Sequence, residues 1–546
     1  MNIRQMDVTM GHSTATPVVF GVIGVAAALV VVLATQPAHG TGSKSDVNPS
    51  QSTADHRAFK QLQGPFAIGE ITKACLDCHN VASKQIHKTT HWTWEVVNRH
   101  TGQKLGKKNV INNFFPSVKS NIESCAVCHI GFDWRDENFD FASEEQVDCL
   151  ICHDTTGTYA VEKFHQSSAR CPVCHDEKPR RKDTEAVDLA AIARHAGPTS
   201  RATCGACHFR GGGGDGVKHG DLDSSLLAPP RSLDVHMDAA GLDFSCATCH
   251  RGGQHVVKGS LYAPTPNDPS GVASVGNGRA TCQSCHGDAP MKDAMLNKHT
   301  NRIACQTCHI PEIARGGVAT LLSWDWSSAG APKRKGKVVV KKDAQGRVTY
   351  SARKGDLAWG NNVVPQYVWF NGIVDYTLPG QAVDLGGVVP INTYRGAADD
   401  PKARIFPVKV FRGRQPVDTT NRTLAVPHLA GRKRVAYWRG YEWEPALAAG
   451  MKAAGLAFSG AFDFAETRML WPINHMVAPA RDALACVDCH ADNGRLAKVE
   501  GLYIPGRDSY PIVEWVGAVL LALTIGAALV HGILRAVFRL ARRARS

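Results

Sequence analysis

The chain has 546 residues, a formal net charge of +13 and 18 cysteines, and 43% of its residues are hydrophobic. This length is sufficient for two or three ordinary domains, and the positive charge would suit a polyanionic partner. The chain contains no recognisable nucleic-acid-binding motif, so we expect no nucleic-acid partner.

The amino-terminal segment, residues 1–39, is typical of a secretory signal. An apolar stretch follows Pro17 and ends at Ala34, with Arg4 upstream. The stretch is long for a cleaved signal and short for a membrane span. We therefore retain two interpretations of it, a signal peptide and an uncleaved anchor. Residues 40–70 are polar and rich in Ser, Gln and Asp, which predicts a linker.

Nine Cys-x-x-Cys-His motifs use all 18 cysteines. Two thiols one helical turn apart can form thioethers to one porphyrin, and the histidine that follows can bind its iron. Zinc also binds paired cysteines, but a zinc site does not require a histidine in the same place nine times. We predict covalently bound haem c in nine copies, or in eight if the Cys171 motif is unused. The predicted attachment cysteines are Cys75, Cys78, Cys125, Cys128, Cys149, Cys152, Cys171, Cys174, Cys204, Cys207, Cys246, Cys249, Cys282, Cys285, Cys305, Cys308, Cys486 and Cys489, and the predicted iron ligands that follow them are His79, His129, His153, His175, His208, His250, His286, His309 and His490.

Eight of the nine motifs fall within residues 71–310, too densely for an ordinary apolar core. We therefore predict a multihaem cytochrome c fold, with short α-helices and irregular segments wrapped on haems. Haem carboxylates would pair with Arg and Lys and offset much of the positive charge. Because c-type haem is attached outside the bacterial cytoplasm, this domain is expected to be periplasmic.

Each haem iron has a second axial position, and fifteen histidines lie outside the motifs. We exclude four of them as distal iron ligands because they lie in terminal, linker or membrane segments: His12, His39, His56 and His531. The remaining eleven are enough for mostly bis-histidine haems of low potential, and we expect seven or eight of them to bind iron. The selected candidates are His87, His91, His100, His165, His195, His219, His236, His255, His299 and His475; the eleventh, His428, is not selected.

The segment Cys204–Asp223 is the most unusual part of the haem-rich region, because four glycines, Gly211–Gly214, follow its motif. Glycines allow the backbone to approach a porphyrin or a ligand closely. Asp215, Lys218 and His219 come directly afterwards and are candidate catalytic residues. A flexible glycine loop without a catalytic role is the alternative.

Residues 311–490 contain no motif before the last one, at Cys486. Short β-prone runs on either side of Asp343–Gly346 predict a hairpin, within a small β-containing region around residues 330–430. This part is either a packing layer or the wall of a substrate channel.

The carboxyl-terminal end has the pattern of a membrane anchor. After a predicted linker, residues 491–511, the apolar stretch 512–534 is long enough to cross a bilayer. Five arginines lie in residues 535–546, which predicts that this basic tail is cytoplasmic. The haem domain would then be anchored on the periplasmic side of the bacterial inner membrane.

Several long stretches resemble the octahaem tetrathionate reductase family of periplasmic multihaem cytochromes. The resemblance spans about residues 70–490, although that family has eight haems and this chain has nine motifs, the extra one assigned to Cys171. It implies one active-site haem, attached at Cys125 and Cys128, with a lysine as its distal ligand. Lys218 is the residue of this chain that matches that lysine. The matching stretches are Val147–Tyr159, Cys204–Asp223, Ala304–Pro311, Trp324–Ser327 and Arg468–Pro479.

The resemblance implies reduction of tetrathionate, and also of nitrite or hydroxylamine, with the other haems acting as an electron wire. The alternatives are a non-catalytic conduit between a quinol-oxidising membrane partner and another acceptor, and an oxidase that runs in reverse from thiosulfate. The two enzymes require a lysine-ligated or high-spin haem, whereas the conduit requires none. The expected partners are a quinol-oxidising or cytochrome redox protein in or at the membrane, and a small oxyanion substrate.

Overall fold

The computed structural model describes residues 54–159, 187–262, 280–330 and 338–546, apart from residues 68, 115 and 506. The predicted signal segment, the motif at Cys171, Cys174 and His175, and the candidate ligand His165 lie outside these residues. The described chain consists of a helical haem-rich region, a sheet region and a carboxyl-terminal helix.

The haem-rich region, residues 54–310, is built from short helices, as predicted. One helical turn brings the two thiols of a motif to the same side, so many of these helices begin or end within a motif. Arg201–His208 is the longest, and the Ser200 hydroxyl caps it by accepting the Thr203 N–H at 3.2 Å. The α-helices are Glu70–Leu76, Ala82–Ile86, Thr90–Thr93, Ile122–Cys125, Leu150–His153, Leu189–Arg194, Arg201–His208, Cys246–Cys249, Gln283–His286, Ala294–His299 and Cys305–His309, and the 3-10 turns are His56–Ala58, Lys60–Leu62, Ala126–Cys128 and Ser224–Leu227.

The sheet region is larger than the small β-containing part expected around residues 330–430, because it extends from residue 320 to residue 472. The predicted hairpin around Asp343–Gly346 is confirmed as β6 and β7. The strands of the chain are β1 Val96–Val97, β2 Lys104–Leu105, β3 Gly252–Gly253, β4 Val256–Val257, β5 Thr320–Asp325, β6 Val340–Lys342, β7 Val348–Ser351, β8 Gly355–Gly360, β9 Gln366–Phe370, β10 Val374–Tyr376, β11 Val389–Pro390, β12 Asn392–Tyr394, β13 Arg404–Asp418, β14 Thr423–Leu424 and β15 Phe462–Pro472.

The long strand β13 organises the sheet. The strand order is β11-β15-β13-β5-β8-β7-β6, and β9 and β14 also pair with β13. β13 is antiparallel to β15, from Val408 opposite Pro472 to Asp418 opposite Phe462, and parallel to β5. The other short strands form two-stranded pairs, β1 with β2, β3 with β4 and β10 with β12.

An ordinary hydrophobic core lies against this sheet. Phe370, Phe406 and Phe411 are fully buried, and Trp326 packs with them in the same cluster. The helices Tyr437–Gly440 and Trp443–Ala453 add aromatic side chains, with the rings of Tyr437 and Trp443 stacked at 3.8 Å. The sheet region is therefore held by side-chain packing in the usual way.

The carboxyl-terminal part continues through the 3-10 turn Ala480–Asp482, the motif helix Cys486–Cys489 and the helix Pro511–Arg543. Residues 491–510, most of the predicted linker, instead fold against the domain, because Leu496, Val499 and Ile504 are buried around Ile405. Helix Pro511–Arg543 has a mean hydropathy of 2.2 in its most apolar window and is long enough to cross a membrane. It contains the whole predicted span 512–534.

Candidate haem sites and active centre

Six motif histidines lie opposite a histidine from another part of the chain. We number the sites 1 to 9 in the order of the motifs, from Cys75 to Cys486. The ring centres of the six pairs are 6.0 to 6.4 Å apart. A metal–imidazole bond is about 2 Å long, so two rings on one iron have centres about 6 Å apart. The pairs therefore fit the axial positions of six haem irons: His79 with His56 (site 1), His153 with His255 (site 3), His208 with His91 (site 5), His250 with His475 (site 6), His286 with His236 (site 7) and His490 with His299 (site 9).

Hydrogen bonds at Nδ1 orient several of these rings. A carbonyl oxygen can only accept, so Nδ1 carries the proton and Nε2 is left for a metal. Each contact is 2.7 to 2.9 Å long, and they join His153 to the Gly197 carbonyl, His250 to Lys258, His255 to the Gln85 side-chain carbonyl, His299 to Met295 and His490 to Pro505. This second layer of contacts is what metal-binding histidines require.

The candidate distal histidines divide into two groups. His91, His236, His255, His299 and His475 each face a motif histidine, whereas His87, His100, His195, His219 and His428 form no such pair among the described residues. The sixth partner is His56, which the sequence analysis excluded as part of a linker. That segment is folded: Asp55 caps the turn that carries His56, and Leu62 is buried.

The ring of His87 is unsuited to a distal role. Its Nε2 lies 3.2 Å from the Ser143 carbonyl oxygen, and its ring stacks on Trp92 at 4.7 Å. His195 and His428 differ, because their Nδ1 atoms lie 2.8 Å from the carbonyls of Ala191 and Ser120. Because Nδ1 makes the described contact, Nε2 of each of these two rings is left to contact another partner.

The described sites follow one another in a series; site 4 lies outside the described residues. The first cysteines of sites 1 and 3, of sites 5 and 6, and of sites 7 and 8 are neighbours in space. Cysteines of sites 3 and 5, 6 and 7, and 8 and 9 lie within electrostatic range of each other. Site 2 joins at site 5, where Cys207 Sγ is 3.9 Å from the Cys128 carbonyl oxygen. The order of the described sites is therefore 1-3-5-6-7-8-9, with site 2 as a branch at site 5.

Site 2 differs from the six paired sites at its motif histidine. His129 is fully buried, and its Nε2 lies 2.7 Å from the Trp92 carbonyl oxygen. At sites 3, 6 and 9 the described ring contact of the motif histidine is made by Nδ1, so a contact at Nε2 is particular to site 2. The rings that enclose His129, with centres 4.7 to 6.0 Å away, are Trp92, Trp94, Trp134, Phe139 and Phe141.

Site 8 also differs from the paired sites. In the part of the chain that the structure describes, no histidine ring lies opposite His309. Burial lowers the pKa of His309, and the nearby rings of His286 and His236 lower it further.

Two lysines lie beside the site 2 motif. Lys107 Nζ is 3.4 Å from the Cys125 carbonyl oxygen and 4.3 Å from the centre of the Trp94 ring. Lys218 is half-buried, within electrostatic range of Cys128, with its Nζ 5.2 Å from the Trp471 ring centre. Burial lowers the pKa of Lys218 to about 8, and the charge of Lys107 contributes. The neutral amine, the form that can bind a metal, is therefore accessible.

The backbone that carries Lys218 is fastened to the sheet. The buried ammonium of Lys409 donates to the carbonyls of Val217 at 2.9 Å and Lys218 at 3.1 Å, and to the Thr320 hydroxyl at 2.6 Å. Gly216 has φ +67°, and a Cβ there would lie 2.4 Å from the carbonyl oxygen of Ala319. Glycine is therefore required at this close approach to β5.

The other candidate catalytic residues have different surroundings. The half-buried His219 packs edge-on against Trp471, at 5.4 Å between ring centres, and burial pushes its pKa well down. Asp215 accepts the Ser224 N–H at 3.1 Å, a contact that secures the turn. Sequence reasoning missed Lys107, which carries no motif and lies 18 residues before Cys125, so only the fold reveals it.

Comparisons with known proteins agree with this arrangement. The family model described as "Cytochrome c bacterial" matches residues 321–493. The solved structure of octahaem cytochrome c from Shewanella oneidensis is 38% identical, with a TM-score of 0.69, over 82% of this chain and 95% of that one. A comparison with curated proteins found no match. Together with the histidine pairs, these findings define a multihaem c-type cytochrome with covalently bound haem c.

More narrowly, the chain belongs to the octahaem cytochrome c family, since the identity to that relative is high over almost its whole length. The cofactor and the fold class predicted from the nine motifs are thereby confirmed. The cytochrome c class identifies a redox protein, and the helix Pro511–Arg543 agrees with membrane association.

Proposed function

We propose that this protein is a membrane-anchored periplasmic reductase of a small oxyanion, with site 2 as its active centre. The observation that carries the proposal is the contrast between site 2 and the six paired sites. There no histidine ring faces the motif histidine in the described residues, its Nε2 lies against the Trp92 carbonyl, and Lys107 and Lys218 lie beside the attachment cysteines. Sites with two histidines on one iron can only pass electrons, because their iron has no open position.

We assign Lys218 as the distal iron ligand at site 2. An amine must be neutral to bind a metal, and burial favours that form. The Lys409 clamp and the contact with Trp471 hold the side chain in position. Haem attached at Cys125 and Cys128 would supply one-electron redox chemistry to this pocket.

Lys107 is the fixed cation of the proposed site. Tetrathionate is a dianion; two electrons break its central S–S bond and give two thiosulfate dianions, so no proton is needed. The negative charge rises from two to four during this step. A preorganised ammonium beside the anion stabilises that increase more than it stabilises the bound substrate. Nitrite and hydroxylamine are further candidate substrates.

Electrons would enter at site 9 from a quinol-oxidising or cytochrome partner in or at the membrane. His490 Nδ1 bonds to the Pro505 carbonyl at 2.7 Å, and Pro505 is six residues before the helix Pro511–Arg543. Six residues span at most about 20 Å, so site 9 lies close to the membrane surface. Sites 8, 7, 6 and 5 then lead to site 2.

A second candidate function, a non-catalytic conduit, is favoured by sites 1 and 3. They extend the series from site 5 in a direction that does not include site 2. Electrons from the membrane could leave the protein at site 1 for another acceptor. The conduit requires no special ligand at site 2, whereas the reductase does. The identity of the iron ligands at site 2 therefore distinguishes the two functions.

The test is substitution of Lys218. Lys218→Ala should change the spectrum of one haem and lower turnover of tetrathionate, nitrite or hydroxylamine by about 100-fold, since one preorganised group is lost. Lys218→Arg should not restore activity, because a guanidinium stays protonated and cannot bind iron. A wild-type spectrum in both variants would show that Lys218 does not bind iron, and wild-type protein that turns over none of the three substrates would favour the conduit.

Lys107 and Lys104 form a matched pair for this test. Lys107→Ala should lower the turnover of tetrathionate more than it weakens substrate binding and should leave the haem spectra unchanged, because Lys107 is assigned to the anion and not to iron. The control is the exposed Lys104, which pairs with Glu95 at 2.7 Å. Lys104→Ala should change neither the activity nor the haem spectra.

The orientation in the membrane has its own test. The arginine-rich tail predicts a cytoplasmic carboxyl terminus. A reporter that folds only in the cytoplasm, fused after Ser546, should be active. Activity of a periplasm-dependent reporter at the same position would reverse the proposed topology.

A further inference from the structure

A buried carboxylate is bonded to one of the distal histidines. Asp221 is 2% exposed, and its Oδ2 accepts the backbone N–H groups of Asn474 at 2.7 Å and His475 at 3.0 Å. The same oxygen lies 3.1 Å from His475 Nδ1. The ring of His475 faces His250 at 6.2 Å, so Asp221 contacts the second axial histidine of site 6.

This partner distinguishes site 6 from the other oriented sites. At sites 3 and 9, and on the His250 side of site 6, the described Nδ1 contacts are to uncharged carbonyl oxygens. At site 7, Asp234 approaches His236 Nδ1 only to 3.8 Å, which is too far for a hydrogen bond. In the part of the chain that the structure describes, His475 is the paired histidine whose Nδ1 bonds to a carboxylate.

Asp221 Oδ2 is surrounded by three N–H groups, two from the backbone and one from the imidazole. An ionised carboxylate only accepts hydrogen bonds, so this arrangement suits the charged form of Asp221. Lys409, whose pKa burial lowers to about 7, lies within electrostatic range of Asp221.

A charged acceptor changes the metal-binding strength of an imidazole. It draws the Nδ1 proton towards itself and makes Nε2 a stronger donor to iron. Stronger donation favours the ferric over the ferrous state, so the reduction potential falls. An uncharged carbonyl produces a smaller effect, because charge-assisted hydrogen bonds are about twice as strong as neutral ones.

We propose that Asp221 sets the redox potential of site 6 and makes it the lowest of the oriented bis-histidine sites. Site 6 lies between sites 7 and 5 in the series of described sites, so an electron that passes along this series from site 9 to site 5 crosses it. Site 6 then acts as a potential barrier, and only a sufficiently reducing donor fills the sites beyond it. This inference depends on the histidine pairs and holds whether site 2 is catalytic or not.

The experiment is a spectroelectrochemical titration of the purified full-length holoprotein in detergent. Asp221→Asn keeps the size of the side chain and removes the charge. One haem should move to a higher midpoint potential, by about 59 mV for a tenfold change in its oxidation equilibrium. The other haems should keep their potentials. Unchanged potentials for all haems would overturn the proposal, as would an equal shift of every haem.

A gain-of-charge variant tests the same physics at site 3. Gln85 Oε1 lies 2.8 Å from His255 Nδ1, in the position that Asp221 has at site 6. Gln85→Glu should therefore lower the potential of one haem, while Gln85→Leu should change it much less. If Asp221→Asn fails to incorporate its haems, the two Gln85 variants still test the mechanism. An unchanged or higher potential in Gln85→Glu would refute it.

Discussion

The haem-rich region and the sheet region of this chain are stabilised by different means. In the described part of residues 54–310 the longest helix has 8 residues, and histidine pairs at 6.0 to 6.4 Å repeat through it. In residues 320–472 one strand has 15 residues, and large apolar side chains are fully buried against it. The first region therefore depends on its cofactors, and the second is stable through its own side chains.

The two regions meet where function is proposed. Lys409 lies on β13 of the sheet and donates to backbone carbonyls of the haem-rich region beside Lys218. The sheet acts as a rigid support for the segment that carries the candidate ligand. This placement favours the interpretation of the sheet region as a packing layer that also positions the site.

The largest expected effect is the loss of haem. In cells that cannot attach haem, we expect the haem-rich region to lose its protection from protease, because its histidine pairs would have no iron between them, although the apolar cluster around Trp92 and Ile151 would remain. The sheet region should survive longer as a fragment. Limited proteolysis with mass spectrometry would measure this difference, and equal resistance of both regions would show that the distinction is wrong.

Phe411→Ala probes the sheet region. Phe411 is fully buried on β13, and its truncation should cost about 3–5 kcal/mol of unfolding free energy. The haem spectra should not change at low temperature, because the histidine pairs lie elsewhere. Denaturant unfolding followed by tryptophan fluorescence, beside absorbance of the haems, would separate the two responses.

Lys409→Met probes the junction of the two regions. The substitution keeps the length of the side chain but leaves three acceptors without their donor, at a cost of about 1–3 kcal/mol. Because the clamp holds Lys218, the spectrum of one haem should also change. A variant with wild-type spectra would show that the Lys218 segment keeps its position without the clamp.

His255→Ala should have the smallest effect on stability and a specific effect on spectra. One haem, that of site 3, should change from low-spin to high-spin, since its iron loses a strong ligand. His100→Ala is the control, because His100 does not face a motif histidine in the described structure. Electron paramagnetic resonance would count the haems that change, and a change with His100→Ala would contradict the pairing.

Sequence reasoning predicted those properties that depend on local pattern. Cysteine spacing alone identifies the attachment sites, because the chemistry of one haem requires two thiols and one histidine within five residues. The hairpin around Asp343–Gly346 follows from a turn between two β-prone runs. The apolar run that forms helix Pro511–Arg543 is likewise visible without a fold.

Pairings between distant residues could not be predicted. His475 faces His250 across 225 positions, and no local signal connects them. His56 was excluded because its segment is polar, yet its ring stacks on His79 at 6.2 Å. The contact between His129 and the Trp92 carbonyl also depends on the tertiary fold, because aromatic rings from several segments enclose the imidazole.

The folded segment between site 9 and helix Pro511–Arg543 has a kinetic consequence. In the proposed topology it would tie site 9 to the bilayer, so that the search for a membrane donor would take place in two dimensions instead of three. Tethering raises the effective concentration of a weak partner without any added contact. Electron supply would then follow the surface density of the donor in the membrane, and a permanent complex between the two proteins would be unnecessary.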